Sequence, residues 1–146
     1  MNTLLEVSAE HTIPVVLPLH PRTKKYLEIH PDQSLNARIA ESEHFHIVPP
    51  VGFLDMVDLE RNARIVVTDS GGVQKEAFFF GRPTVVLRPE TEWVELVEHG
   101  QAELVDADPR RIKAAMERFM HQALPQAPAF YGDGHAAERI CAALLA

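Results

Sequence analysis

The sequence predicts an α/β fold: a Rossmann-like, three-layer α/β/α domain with a mostly parallel sheet. Three observations carry that expectation. Short β-branched runs alternate with helix-type stretches of one to four turns, the signature of βαβ units. Gly and Pro punctuate the junctions where a helix has to stop or start. The chain has 146 residues, 46% of them hydrophobic, which suits one domain burying roughly two-thirds of its unfolded surface.

In chain order, residues 2–9 (NTLLEVSA) read as the end of a helix, as if the chain began in the middle of an architecture. Residues 13–19 (IPVVLPL) read as a strand, followed by His20-Pro21-Arg22 and a helical stretch to about Ile29. Residues 45–48 form a second strand closed by Pro49-Pro50, and residues 54–62 group apolar side chains at helical spacing. Residues 65–67 are a third strand, running through TDSGG into a helix that reaches about Phe80. Gly81 stands where a left-handed terminator is wanted, and Pro83 prevents continuation. Residues 84–87 are the fourth strand. Thr91 is a candidate N-cap for a helix over 92–99, which Gly100 stops. Residues 102–105 are the fifth strand, and Asp108-Pro109 opens a helix over 110–122. A Pro/Ala-rich connector, 124–129, leads to Tyr131-Gly132-Asp133-Gly134 and a last helix over about 135–144. No internal repeat or second domain is visible.

Composition narrows the function. The net charge is −7 and the pI about 5.6, against a broad nucleic-acid-binding face but not against one small anion held by local donors. The one cysteine, Cys141, sits in an apolar run and is expected to be a buried small hydrophobe. It cannot form an internal disulfide, so a reducing cytoplasm is the expected setting. No apolar run approaches the ~18 residues of a membrane span, so no membrane partner is expected, and no signal peptide is read at the start.

The segment VVTDSGGVQKE, residues 66–76, carries the chemistry. In open parallel sheets ligands sit beyond the carboxyl ends of the strands. Two glycines let a ligand approach the backbone closely, and the first amides of the next helix have no partner inside it. A phosphate would meet the Ser70 hydroxyl and the amides near Gly71 and Gly72. Glu76, one turn in, would repel phosphate and suits sugar hydroxyls instead. Taken alone, SGG reads as a common strand-to-helix turn capped by Ser70; neither GxxxxGK[ST] nor GxGxxG is present.

The segment VVTDSGGVQKEAFFFGRPTVVLRPETEWVELVEHG, with PVVLPLHPRT at 14–23 and YGDGHAAERI at 131–140, resembles the C-terminal domain of the non-hydrolysing UDP-N-acetylglucosamine 2-epimerases over nearly the whole chain. The resemblance implies one half of a two-domain glycosyltransferase-B-type architecture, with the catalytic N-terminal domain absent from residues 1–146 and a UDP-sugar in the cleft between the halves. It implies that His20 reaches the substrate phosphates and that Ser70, Gly71 and Gly72 form the diphosphate turn. Glu76 would bind the ribose, with Glu92 and Arg88 near the nucleotide and the segment from Phe53 to Met56 along the uracil. Some members carry an aromatic residue at the place of Met56 and an arginine at the place of Trp93. The family's chemistry eliminates UDP across C1–C2 to a 2-acetamidoglucal and adds it back with protonation on the other face. No nicotinamide or metal cofactor is implied. The acid and base carboxylates lie on the N-terminal domain, and the full enzyme is expected to be a homodimer.

Other residues have plainer readings. His44 and His46 share a strand face and are expected to be solvated rather than zinc ligands. Asp69 is expected to bond local amides. Of Phe78-Phe79-Phe80, at least one should face away from the core. Trp93 suits either a base stack or a packing contact. Two other functions stay open: the donor-binding domain of a UDP-sugar glycosyltransferase, and a non-enzymatic UDP-sugar sensor.

Overall fold

Five short strands alternate with eight helices in the computed structural model, which describes residues 1–145. In order they are α1 (Asn2–His11), β1 (Val15–Pro18), α2 (Pro21–Ile29), α3 (Gln33–Glu41), β2 (Phe45–Val48), α4 (Phe53–Asn62), β3 (Val66–Thr68), α5 (Gly71–Phe79), β4 (Thr84–Val86), α6 (Val94–Glu98), β5 (Ala102–Leu104), α7 (Pro109–His121) and α8 (Ala136–Leu145). Every strand pairing is parallel, as the βαβ alternation requires.

The parallel strands form two hydrogen-bonded ladders, β1-β2 and β3-β4-β5, where the sequence suggests one sheet. The cause is legible in β1. Val15 and Leu19 donate to His44 and Val48 on the β2 side. Residues of the opposite parity face the other edge, and two of them, Pro14 and Pro18, have no amide to donate. Helix α1 spans the divide. Leu5 packs with Leu35 and Phe45 on the β2 side. Val7 packs with Val85, Val105, Ala115, Met116, Phe119 and Met120 beneath β4 and α7. The buried Ser8 hydroxyl donates to the Ile13 carbonyl at 2.7 Å and ties α1 to the entry of β1.

Local chemistry sets the helix ends. Asp32 accepts from the Leu35 amide and caps α3, an element the sequence reading missed between Ile29 and Phe45. Asp108 accepts from Arg110 and Arg111 ahead of Pro109. Gly81, at φ +65°, stops α5 as anticipated. Helix α6 starts later than expected. Thr91 does not cap 92–99; its hydroxyl accepts from the Trp93 amide and holds a bend, so regular turns begin only at Val94. Helix α8 buries none of its residues. Cys141, expected in a core, is therefore exposed, because its helix buries none of its residues among residues 1–145. No helix of the described residues is long and apolar enough to cross a membrane.

A third cluster sits nearest the strand ends of interest. Val86, Leu96 and Ala102 are buried there, with Phe78, Trp93, Phe130 and Tyr131 packed around them. Leu96 is 1% exposed and anchors the five-residue α6 to β4 and β5. Leu96→Ala is expected to lower unfolding free energy by about 2–5 kcal/mol, read as a urea midpoint shift. A loss below about 0.5 kcal/mol would mean that α6 is not fixed by this contact.

Candidate functional site

The carboxyl ends of β1, β3 and β4 open into the loops that carry the singled-out residues. Thr68 ends β3 and Ser70 caps α5, its Oγ accepting from the Val73 amide at 3.5 Å. The Ser70 amide donates to Thr68 Oγ1 at 3.0 Å. Asp69 was expected to make such local bonds, but its side chain is exposed and bonds no amide; the threonine performs that role. The amides of Gly71 and Gly72 make no hydrogen bond among the described residues, because they lie in the first turn, before any intrahelical acceptor exists. The N-terminus of α5 thus presents two donors and the positive end of a helix dipole to the surface.

Glu92 and Trp93 come down onto this turn from the β4–α6 loop. A Cβ added at Gly71 would lie 3.2 Å from Glu92 Oε2, so the carboxylate sits directly above the turn. Arg88 Nη1 bonds both Glu92 oxygens at 3.1 Å. Its own backbone amide, then Arg88, holds the Glu92 carboxyl below the usual range. The structure thus places an anion of its own where a phosphate would approach, and Arg88 is already paired. The Trp93 indole donates to the Gly71 carbonyl at 2.8 Å and meets the Tyr131 ring edge-on. Lys75 Nζ lies 4.5 Å from the Trp93 ring centre and 4.2 Å from that of Tyr131. These contacts make Trp93 a scaffold for the turn. Burial, then a hydrogen bond to Glu95, pushes the Tyr131 hydroxyl well above its ordinary value. Phe78 packs into this cluster while Phe79 is 61% exposed, the split foreseen for the three phenylalanines.

His20 follows β1 and caps α2, its Nδ1 accepting from the Arg22 amide at 3.2 Å. With Nδ1 accepting, Nε2 carries the ring's N–H and leaves an exposed donor at the strand end. Phe53 and Met56 lie on the first turn of α4; Phe53 is 70% exposed and Met56 half-buried. His46 is exposed on β2. The described residues that bring metal-type donor atoms together are Glu10, His11 and Glu117, between α1 and α7, where Lys113 already pairs with Glu10 at 2.7 Å.

Two buried polar groups escaped the sequence reading. Gln74 is fully buried on α5, accepts from Thr91 Oγ1 at 2.6 Å and leaves Nε2 without a partner. Glu60, in the last turn of α4, is 2% exposed, and neither carboxylate oxygen has a partner. The signal for Glu60 was present: it lies one turn past Met56 and Val57 on the same half-buried helical face, where an apolar residue belongs. Burial, then the neighbouring Glu76 carboxylate on α5, pushes the Glu60 pKa up from 4.5 to about 7.

A family model described as UDP-N-acetylglucosamine 2-epimerase matches residues 1–145. The chain is 42% identical over 127 residues to the UDP-2,3-diacetamido-2,3-dideoxy-D-glucuronate 2-epimerase of Pseudomonas aeruginosa, covering 87% of this chain and 33% of that protein. It is 32% identical to the UDP-N-acetylglucosamine 2-epimerase of Salmonella typhimurium, covering 98% of this chain and 38% of the other. The Methanocaldococcus jannaschii UDP-GlcNAc 2-epimerase structure superposes with a TM-score of 0.87 at 32% identity, over 99% of this chain and 39% of that one. A second structure of that enzyme, in complex with UDP-GlcNAc and UDP, superposes with a TM-score of 0.84 at 32% identity, again over 99% of this chain and 39% of the other. The chain spans about a third of the length of these relatives.

Glu60 makes a direct stability prediction. The native state holds a proton that the unfolded chain releases between pH 4.5 and about 7, so stability falls as pH rises through that window and is flat above it. Relative to Glu60→Gln, the wild-type chain is expected to lose roughly 3 kcal/mol between pH 4.5 and 8, read by urea unfolding at both pH values. Equal pH dependence in the two proteins would show that Glu60 releases its proton over the same pH range in the native and unfolded states.

Proposed function

Because the chain belongs to the UDP-N-acetylglucosamine 2-epimerase family, we propose that it is the nucleotide-binding half of an enzyme that epimerises UDP-GlcNAc, or a related UDP-amino sugar, at C2. The observation that carries this reading is the open N-terminus of α5, where the Gly71 and Gly72 amides stand without partners. In the proposed mode they receive the diphosphate together with Ser70 Oγ. His20 Nε2–H, at the end of β1, donates to the same group. Glu76 accepts from the ribose hydroxyls, and the first turn of α4, with Phe53 and Met56, lies along the uracil. To admit the phosphate, Glu92 swings off Gly71, and Arg88 exchanges that carboxylate for the incoming anion.

The chemistry follows from charge. Breaking the C1–O bond as the C2 proton leaves gives UDP and a 2-acetamidoglucal; adding UDP back with protonation on the opposite face of C2 completes the inversion. Negative charge grows on the leaving diphosphate. Preorganised amides and a helix dipole aimed at it stabilise that developing charge more than the ground state. The groups that move the C2 proton are proposed to lie on an N-terminal-type domain outside residues 1–146. The apolar face of α8, with Ile140 59% and Leu144 80% exposed, supports further protein covering it. A homodimer acting in the cytoplasm completes the reading.

UDP is expected to raise the thermal midpoint of the chain while NAD leaves it unchanged. Calorimetric titration should show Ser70→Ala and Glu76→Ala each weakening UDP by roughly tenfold, with circular dichroism unchanged. Wild-type affinity in both variants would reduce the turn to a structural junction.

A further inference from the structure

Glu60 is a buried acid that the proposed reaction does not use. It occupies the last turn of α4, which packs against α5, and Glu76 sits half-buried on that neighbouring helix. Both Glu60 oxygens are buried without a donor, an arrangement that an ionised carboxylate tolerates poorly. A protonated carboxyl has the opposite need: one acceptor for its hydroxyl. The charged group that acts on Glu60 is the Glu76 carboxylate.

The remaining charges nearby are committed or turned to solvent. On α4 itself, Asp58 and Arg61 are exposed. On α5, Lys75 is held against the Trp93 and Tyr131 rings. Beyond α5, Arg82 Nε donates to the Arg61 carbonyl at 3.0 Å, and past α4 Arg64 reaches the Met120 carbonyl at 2.7 Å. Among the described residues neither Glu60 nor Glu76 forms an ion pair with any of these cations.

We infer that Glu60 is a positioning residue for nucleotide binding: protonated, it donates a hydrogen bond to Glu76 and fixes that carboxylate for the hydroxyls of a nucleoside sugar; ionised, it repels Glu76 and releases it. The inference rests on the UDP-sugar reading of Glu76 given above. One proton moves, between Glu60 and solvent, and no covalent step is involved. The consequence is an affinity that declines as pH rises through neutrality, although the ligand's own charge does not change.

The test uses UDP-GlcNAc, whose diphosphate is esterified at both ends and does not titrate near neutrality. Calorimetric titration of the wild-type chain, Glu60→Gln and Glu60→Met runs from pH 5.5 to 8.5. The wild-type chain is expected to bind roughly tenfold more weakly at the alkaline end. Glu60→Gln, which keeps a donor at every pH, is expected to retain at the alkaline end the higher affinity that the wild-type chain loses there. Glu60→Met, with neither donor nor charge, is expected to bind about as weakly as the alkaline wild-type chain across the range. A second measurement needs no ligand: carbon-13 NMR of the Glu60 carboxyl, with a midpoint near 7 expected in the wild-type chain and a lower one in Glu76→Gln. A Glu60 midpoint near 4.5, or one that Glu76→Gln leaves unmoved, overturns the inference whatever the ligand does. Binding by all three proteins with one shared pH profile overturns it and leaves the UDP-sugar reading intact. A Glu60 midpoint near 7 with no binding of UDP-GlcNAc at any pH removes the UDP-sugar reading, and the positioning role falls with it.

Discussion

Two backbone amides without acceptors, at Gly71 and Gly72, are the constraint on which the site depends. They are a consequence of helix geometry, since a first turn has no preceding carbonyls to receive its N–H groups. What the sequence adds is access. Gly71 carries no Cβ to keep a ligand off, and Ser70 caps the helix through Val73, deeper in the turn, without occupying either glycine amide. Thr68 anchors the Ser70 amide, and Trp93 holds the Gly71 carbonyl from the far side. The turn is therefore held in the directions that aim its donors, while the direction from which an anion comes is covered by the Glu92 carboxylate.

The surrounding charge makes that aim necessary. The chain carries −7 overall, and Glu60, Glu76 and Glu92 all lie close to the turn or to its helix. Long-range attraction cannot bring a diphosphate to such a place; short-range donors have to. Each acid is managed differently. Glu92 is paired with Arg88 and rests on the turn, so its displacement exchanges one anion for another. In the proposed mode Glu76 serves neutral hydroxyls. Glu60 is buried deeply enough to retain its proton near neutrality. An acidic protein can hold an acidic ligand when its own carboxylates are paired, protonated or turned toward alcohols.

Much of this was legible in the sequence because it is local. The alternation of β-branched runs with helices gave the parallel α/β architecture, and the Gly81 stop follows from backbone preferences. Ser70 and Asp108 cap helices as their residue types require. What stayed hidden depends on neighbours distant in the chain. Pro14, just before β1, and Pro18, at its end, are visible as letters, but their effect appears only once Val15 and Leu19 face β2 and the prolines face the other edge. The short α3 has a weak apolar pattern and declares itself through the Asp32 cap. Glu60 shows on the helical stripe as a misplaced charge, yet its meaning requires Glu76 from another helix. Trp93, read as a base stack or a packing contact, became a turn anchor once its indole was seen on Gly71, 22 residues away.

Whether the Gly71 and Gly72 amides receive a diphosphate is read by following the backbone amides of residues 68–76 in two-dimensional NMR while UDP is added. The Gly71 and Gly72 resonances are expected to move downfield and saturate together with binding, with Ser70 and Val73 following. Saturable binding of UDP that leaves both glycine amides in place, with the changes centred on other residues, would contradict that expectation.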